Sequence, residues 1–365
     1  MVDYNKQIKE LEDELKKTKY NKATQGHVGI VKAKIAQLRE KQDMRTQKKT
    51  GASEYGYSVR KSGDGTVLLL GFPSSGKSTL LNKLTGAQSE VAAYAFTTLT
   101  VIPGMMEYKQ AKIQILDVPG IVSGAASGKG RGKEVLNVIL NADLVLVVVD
   151  VTHPEHHPAI LKEVWDSNIR LNRTRPEVFI KKKAYGGINI GKTVPTEIDD
   201  ETIKKIMREF KMVSADVLIR SPIDVDAFID IIEGNKKYVP AITCLTKMDL
   251  ADTAKVDRVK KELNADICIS AEQSINIEPL KELIFEKMDF MRVCLKEPKK
   301  DADTEKPLII KRHSSIEDVC NKLHKDFAKK FKFARVWGKS AKFPGQRLFL
   351  KHLLHDKDIL EIHLR

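Results

Sequence analysis

The residues best suited to chemistry stand together in the run GFPSSGKST at 71–79, with the spacing G-x-x-x-x-G-K-S. An apolar run precedes it and an amphipathic run follows, so the pattern predicts a strand, a phosphate-binding loop and a helix. The backbone N–H groups of such a loop surround an anion, and the positive end of the helix faces the same place. The residues expected to hold phosphate are Gly71, Pro73, Ser74, Ser75, Gly76, Lys77, Ser78 and Thr79.

Two side chains of this loop have specific expected roles. Lys77 is predicted to reach the β- and γ-phosphates, which makes it a catalytic candidate, and the Ser78 hydroxyl is predicted to ligate Mg²⁺. The alternative is an ordinary strand–turn–helix with chance glycines. Four specified residues that fall in register with the expected flanks favour a nucleoside phosphate site.

A carboxylate is expected beside the loop, at the end of a second strand. The run at 112–116 has a strand-like pattern and leads into D-V-P-G at 117–120. Because the carboxyl ends of parallel strands meet at one edge of the sheet, Asp117 should lie close to the phosphate loop. A carboxylate in that place is suited to binding Mg²⁺, so Asp117 is predicted to belong to the metal site.

The run T-K-M-D at 246–249 selects the base. Guanine presents two adjacent donors, N1–H and the 2-amino group, and the Asp249 carboxylate can accept from both. Adenine lacks that pair and would leave the carboxylate unpaired. Lys247 is expected against the plane of the base, with Thr246 beside it in the motif. The backbone around Ser270 and Ala271 is expected to meet the guanine oxygen. GTP is therefore the predicted substrate and Mg²⁺ the predicted cofactor.

The elements that position these motifs predict an α/β P-loop domain with additions. Residues 3–49 form a helical hairpin with a break at 21–24, and a helix at 277–291 closes the P-loop domain. Strand-like runs around a Gly-Gly turn, followed by helical patterns at 201–210 and 225–233, predict an inserted α+β subdomain. One helix at 316–331 among four short strands predicts a C-terminal β-grasp domain. The expected divisions are 1–62, 63–150, 151–238, 239–295 and 296–365.

Composition narrows the choice of class. The formal net charge of +14 lies on the flanks: residues 1–62 hold 15 Lys and Arg against 8 Asp and Glu, and residues 296–365 hold 18 against 10. Such flanks are either nucleic-acid surfaces or solvated helix faces. The four cysteines lack C-x-x-C spacing, which argues against a thiol metal site and favours reduced buried thiols. With no transmembrane run and a charged helical start instead of a signal peptide, a cytoplasmic protein without membrane contact is expected.

The chain also resembles the developmentally regulated GTP-binding (DRG) family, within the Obg-related translation GTPases. The matching runs are NKAT at 21–24, GFPSSGKST at 71–79, FTTLT at 96–100, DVPGI at 117–121, GKGRGK at 128–133, IRLN at 169–172, KKK at 181–183 with GGI at 186–188, FIDII at 228–232, YVPAI at 238–242, VWG at 336–338 and GQR at 345–347. The run at 226–240 is more similar to the second eukaryotic branch of the family than to the first.

The resemblance implies an N-terminal helical domain, a GTPase domain, an insert and a C-terminal TGS domain of β-grasp form. It implies that Thr98, or its neighbour Thr97, binds Mg²⁺ and the γ-phosphate, and that the backbone of Gly120 senses the γ-phosphate. Thr98 and Gly120 thereby join the catalytic candidates, and Thr98 also joins the metal ligands. The resemblance further implies work on the ribosome in translation, and a stabilising protein partner of the DRG-family-regulatory class. No DNA partner is expected.

The hydrolytic step is expected to be slow. Ile121 follows Gly120 at the position where many GTPases carry the glutamine that orients the attacking water, and its alkyl side chain cannot hydrogen-bond to water. A partner, a monovalent cation or a basic group at Lys129 or Arg131 would then have to assist. Relatives that depend on K⁺ carry Asn where this chain has Ser74, so a K⁺ requirement is left open.

Three functions are compared at this point. The first is a GTPase switch, in which bound GTP orders the loops around Thr98 and Gly120. The second is an RNA- or ribosome-docking module whose guanine nucleotide is largely structural. The third is an ATP-dependent enzyme, which Asp249 disfavours. His153, His156 and His157 also cluster, but the flanking prolines favour a polar loop over a metal site.

Overall fold

The computed structural model describes residues 4–50, 63–86, 102–117, 142–298 and 300–365. The chain divides into two compact units. Unit 1 combines Met1–Gly56 with Asn168–Tyr238, and unit 2 combines Tyr57–Ser167 with Val239–Arg365. No helix in these described ranges is long and apolar enough to cross a membrane.

Unit 1 begins with the predicted helical hairpin. Helix α1 spans Tyr4–Lys17 and helix α2 spans Gln25–Thr50, so the break falls where the sequence predicts it. The hairpin core consists of Ile8, Leu11, Leu15, Val31, Ile35 and Leu38. An ion pair between Arg39 and Glu12 at 2.8 Å shows that the helices run antiparallel.

The rest of unit 1 is an α+β layer. Its strands and helices are β5 (Ile169–Leu171), β6 (Val178–Lys182), β7 (Ile188–Lys192), α5 (Asp200–Glu209), β8 (Ala215–Ile219), α6 (Val225–Glu233) and β9 (Lys237–Val239). Strand β8 lies between β6, its antiparallel neighbour, and β7, its parallel neighbour. The two runs around the Gly-Gly turn therefore pair with β8 instead of with each other. Helices α2, α5 and α6 contribute to the core on one face of this sheet.

Unit 2 contains a six-stranded sheet in the order β11-β10-β4-β1-β3-β2. The strands are β1 (Gly65–Leu70), β2 (Ile102–Tyr108), β3 (Ala111–Asp117), β4 (Leu144–Asp150), β10 (Ala241–Thr246) and β11 (Ile267–Cys268). All pairs are parallel except β2 with β3. The helices of this part are α3 (Lys77–Thr85), α4 (His156–Asp166), α7 (Thr253–Glu262) and α8 (Ile277–Lys287). The predicted phosphate loop, Asp117 and the T-K-M-D run all follow carboxyl ends of parallel strands.

A five-stranded sheet completes unit 2, in the order β13-β12-β16-β14-β15. Its strands and helices are β12 (Phe290–Leu295), β13 (Leu308–Lys311), α9 (Ile316–Leu323), α10 (Phe327–Lys330), β14 (Phe331–Trp337), β15 (Gln346–Leu348) and β16 (Asp358–Leu364). The β-grasp arrangement agrees with the prediction, but two of its elements do not.

The first correction is that the helix predicted to reach Met291 ends at Lys287, because Phe290–Leu295 pairs with β13 and β16 as a fifth strand. The second is that the single helix predicted at 316–331 is two helices, because the backbone of His324 is extended (φ −162°, ψ 140°). The expected divisions at 151 and 296 stay predictions, although α4 belongs to unit 2 and β12 to the last sheet.

Candidate nucleotide site

Gly71, the first glycine of the phosphate loop, is closely surrounded by neighbouring atoms. A Cβ on Gly71 would stand 2.5 Å from the Val148 carbonyl oxygen and 2.7 Å from Ser75 Oγ, so no larger residue fits without movement. Gly76 has φ 87° and Ser74 has φ 64°, which places both in the left-handed region. These conformations fold the loop back over the start of α3, as an anion nest requires.

Lys77 is buried at the start of α3. Its Nζ donates to the carbonyl oxygens of Gly71 and Phe72 at 3.0 and 2.8 Å. Burial lowers the pKa of the Lys77 ammonium, and the charge of Asp117 opposes that shift. A phosphate is the kind of anion that would relieve the desolvation of this ammonium, because it replaces carbonyl partners with a charged one.

Ser78 and Asp117 lie together, as the sequence predicts for a metal pair. Ser78 Oγ donates to Asp117 Oδ2 at 2.9 Å, and Asp117 is only 2% exposed. Its other oxygen, Oδ1, has no hydrogen-bond partner among the described residues. A buried carboxylate oxygen without a partner beside a hydroxyl is the oxygen donor set that Mg²⁺ prefers. These residues therefore fit the ion that the motif implies.

A cavity of about 180 Å³ adjoins the phosphate loop on the side of the T-K-M-D run. The residues around it are Gly76, Thr79, Thr246, Lys247, Asp249, Leu250, Ala271 and Glu272. It thus brings together residues that stand almost two hundred positions apart in the chain. Its walls include the carboxylate predicted to read guanine and the lysine predicted to lie against the base.

Thr246 connects this cavity to the phosphate loop. Its Oγ1 lies 2.8 Å from the Ser75 carbonyl oxygen and 3.2 Å from the Val149 carbonyl oxygen, so the hydroxyl can donate its proton to either. Ser270 is fully buried, and its Oγ accepts from the backbone N–H of Gln273. The structure therefore places Ala271 at the cavity wall and Ser270 behind it.

Asp150 is a site residue that the sequence reasoning did not identify. It ends β4 almost fully buried, and its Oδ2 lies 2.8 Å from Lys247 Nζ. Its Oδ1 accepts from the backbone N–H and the hydroxyl of Thr152, at 2.8 and 2.6 Å. These donors, the Lys247 ammonium included, hold the pKa of Asp150 below its usual range although burial opposes them. The only signal in the sequence is a carboxylate at the end of an apolar strand.

A second unexpected feature is the stack of Phe72 on His156, with ring centroids 4.1 Å apart. The loop predicted around the histidines is wrong here, because His156 and His157 begin helix α4. Proline is compatible with the first turn of a helix, so Pro158 does not interrupt it. No group of three or more potential metal ligands occurs among the residues that the structure describes.

The remaining predicted site residues lie outside the described residues. They are Thr97, Thr98, Gly120, Ile121, Lys129 and Arg131. The four cysteines, in contrast, are all described, and each is free and buried, as predicted.

Family models match most of the chain. Residues 66–183 match a model described as 50S ribosome-binding GTPase, and residues 185–290 match the C-terminal region of that domain. Residues 292–364 match the TGS domain.

Similar proteins extend over the full length. An uncharacterised GTP-binding protein of Methanocaldococcus jannaschii is 51% identical over 100% of this chain and 94% of its own length. The developmentally-regulated GTP-binding protein 1 homolog of Dictyostelium discoideum is 44% identical over 97% and 98%. The protein named developmentally-regulated GTP-binding protein 1 in Xenopus laevis is 41% identical over 97% of both chains.

Among solved structures, Aquifex aeolicus Era bound to GDP and aluminium fluoride matches 75% of this chain and 72% of its own, with a TM-score of 0.32 and 18% identity. A score that low adds nothing to the sequence matches.

Proposed function

Because the chain belongs to the family of developmentally regulated GTP-binding proteins, we propose that it hydrolyses GTP to GDP and phosphate as a slow switch in translation. The observation that carries this proposal is the cavity between the phosphate loop and Asp249. Its lining includes Gly76 and Thr79, which flank the buried Lys77 in the phosphate loop, and Asp249, a carboxylate suited to guanine. The distribution of groups matches the two ends of one nucleotide.

The residues of the candidate site have separate roles in this proposal. Lys77 compensates the charge of the phosphate oxygens, and the N–H groups around Gly76 hold them in place. Ser78 and Asp117 would hold Mg²⁺, which when bound neutralises phosphate charge. Asp150 fixes the Lys247 ammonium, so that the lysine stem can lie along the base. Thr98 and Gly120 are proposed to contact the γ-phosphate end, as the family resemblance implies.

The slow rate follows from Ile121, which cannot orient water. We propose that a partner or a monovalent cation assists the step, with K⁺ left open because Ser74 replaces Asn. A basic group from Lys129 or Arg131 is the alternative within the chain. If Arg131→Ala leaves single-turnover hydrolysis unchanged, that role for Arg131 is excluded.

The guanine-reading role of Asp249 is tested with Asp249→Asn. An amide can accept from N1–H and donate to the 2-oxo group of xanthine, whereas it cannot accept from both guanine donors. We expect the variant to lose at least tenfold in GTP affinity and to gain affinity for XTP, measured by competition against a labelled nucleotide. Binding of ATP by the wild-type protein in preference to GTP would overturn the proposal.

The second candidate is a ribosome- or RNA-docking protein whose nucleotide is largely structural. The basic flanks and the exposed Lys181-Lys182 pair favour it. Co-sedimentation with ribosomes over a salt series, with GDP and with a non-hydrolysable GTP analogue, separates the two candidates. Binding that depends on the nucleotide supports the switch, and binding that ignores it supports the docking module. A regulatory partner protein of the DRG-family class and a cytoplasmic location are parts of the same proposal.

A further inference from the structure

In the described part of unit 1, the helices pack on one face of the sheet. Strand alternation directs Ala215, Val217 and Ile219 into the core, where α5 and α6 pack. Pairing then places Phe179, Leu218 and Gly191 in one row of the opposite face, and Lys181, Asp216 and Asn189 in the next. This open face, defined by those six residues, combines a large aromatic ring with polar and basic groups.

Phe179 is the most unusual residue of the open face. It lies within strand β6 and is 57% exposed, although a phenylalanine is normally buried. The guanidinium carbon of Arg220 lies 5.4 Å from its ring centroid, so the ring has a cationic neighbour. An exposed ring in this setting offers a π-surface to a flat ligand.

Gly191 lies in the same row, although neither its backbone conformation nor its packing requires a glycine. Its φ is outside the left-handed region, and an added Cβ would meet only Leu218 Cδ1 at 3.6 Å and the Val217 carbonyl at 3.9 Å. Those are ordinary contacts, so a side chain would fit. Glycine in a strand weakens the sheet, and it is typical of sites where a ligand approaches the backbone closely.

The charges around the row suit phosphate. The Asp216 carboxylate is compensated by Lys183 Nζ at 2.6 Å and by Asn189 Nδ2 at 3.0 Å, and these contacts lower its pKa. Lys181 is exposed in the same row. The turn that follows presents Tyr185, which is almost fully exposed. The core of a protein interface is apolar and poor in charged residues, whereas this face has single aromatic rings among cations.

We propose that the open face binds unpaired RNA, with a base stacked on Phe179 and phosphates beside Lys181. The inference rests on the proposed association with RNA and names the surface responsible. Bases stack on aromatic side chains irrespective of sequence, and lysines follow the phosphate backbone. Because Gly191 has no side chain, the nucleotide can approach the strand backbone in this row.

The test uses the full-length protein and a labelled single-stranded 12-nucleotide RNA, with fluorescence anisotropy at fixed salt. Phe179→Leu keeps an apolar side chain but removes the ring, so we expect affinity to fall about tenfold. Gly191→Val should weaken binding similarly while the melting temperature stays equal or rises. Phe343→Leu is the matched control, because Phe343 is 59% exposed in the other unit, and it should bind within twofold of wild type.

Several results would overturn the assignment. One is wild-type affinity in both Phe179→Leu and Gly191→Val, and another is no binding of single-stranded RNA by the wild-type protein. Loss of RNA affinity in Lys181→Glu without loss in Phe179→Leu would show a phosphate contact alone and exclude base stacking on Phe179. Ribosome co-sedimentation separates this failure from that of the proposed function: if Phe179→Leu still sediments with ribosomes like wild type, only the open face is wrong.

Discussion

Gly71 and Gly191 show how one residue type serves opposite needs. Neither has a left-handed φ, but a Cβ on Gly71 would stand 2.5 Å from a backbone oxygen, whereas one on Gly191 makes ordinary contacts. We expect Gly71→Ala to destabilise the protein by about 1–3 kcal/mol, because the loop or β4 must move. Gly191→Ala is the control and should be neutral or stabilising. Urea unfolding measures both, and equal effects would contradict the packing argument.

His157 makes a prediction about pH. Burial lowers the pKa of its imidazole, and its Nε2 has no hydrogen-bond partner among the described residues. The unfolded chain therefore binds a proton near pH 6.5 that the folded protein resists, so stability falls as the pH drops below that value. Each pH unit between the folded and unfolded pKa values contributes about 1.4 kcal/mol.

Unfolding free energies at pH 7.5 and 5.5 measure this effect. His157→Leu should flatten the dependence in part, because burial also lowers the pKa of His352, which acts with the same sign. An unchanged slope in His157→Leu would exclude its contribution.

Residue chemistry explains which site residues could be predicted. The sequence predicts a guanine-binding role for Asp249 because a fixed acceptor after a strand suits guanine, and a metal-binding role for Asp117 because a carboxylate beside the loop suits Mg²⁺. The sequence does not predict the role of Asp150, because that role depends on a 2.8 Å contact with Lys247. That contact exists only because β4 and β10 are neighbours in the sheet. A sequence gives residue types along a strand, but the contact also requires the order of the strands.

At the scale of elements, an ion pair joins β5 to α6 within unit 1. The Arg170 guanidinium bonds to both oxygens of Asp230, at 2.6 and 2.7 Å, with the side chains only 4% and 6% exposed. Asp230→Ala would leave a buried cation without its carboxylate, at a cost of about 3–5 kcal/mol. Glu201→Ala, in the more exposed pair with Lys204, should cost less than 1 kcal/mol.

Urea unfolding followed by far-UV circular dichroism, to which the helices and strands of unit 1 contribute, measures this cost. A cost below 1 kcal/mol for Asp230→Ala would show that Arg170 finds another partner. Replacing both residues, Arg170→Met with Asp230→Leu, should recover much of the loss, since no unpaired charge then stays buried.

The same ion pair explains two runs that carried the family resemblance. Arg170 belongs to IRLN at 169–172 and Asp230 to FIDII at 228–232, sixty positions apart. Both runs can be recognised in the sequence, but the sequence alone does not predict that Arg170 and Asp230 are in contact. Periodicity predicted helices α5 and α6 to within a residue, because their apolar positions repeat clearly. It failed at β12 and His324, where a short apolar run continues a helical pattern and only the sheet or the backbone decides.

At the scale of the whole molecule, the two units contribute differently to two spectroscopic signals. Its two tryptophans, Trp165 in α4 and Trp337 in β14, both belong to unit 2. Tryptophan fluorescence therefore follows unit 2 alone, whereas far-UV circular dichroism follows the helices and strands of both units. Since the candidate nucleotide site lies in unit 2 and the Arg170–Asp230 pair in unit 1, each unit can be perturbed separately.

We therefore expect ligand and mutation to act on different signals. GDP with Mg²⁺, at a hundred times its dissociation constant, should stabilise the fluorescence-detected transition by about 2.7 kcal/mol, and a tenfold loss of affinity in Asp249→Asn should reduce that shift to about 1.4 kcal/mol at the same GDP concentration. Asp230→Ala should instead move the part of the circular dichroism transition that fluorescence does not report. If Asp230→Ala moves the fluorescence midpoint as far as GDP does, the two units unfold as one. If GDP leaves the fluorescence-detected midpoint unchanged, the nucleotide does not bind unit 2 and the proposed function is wrong.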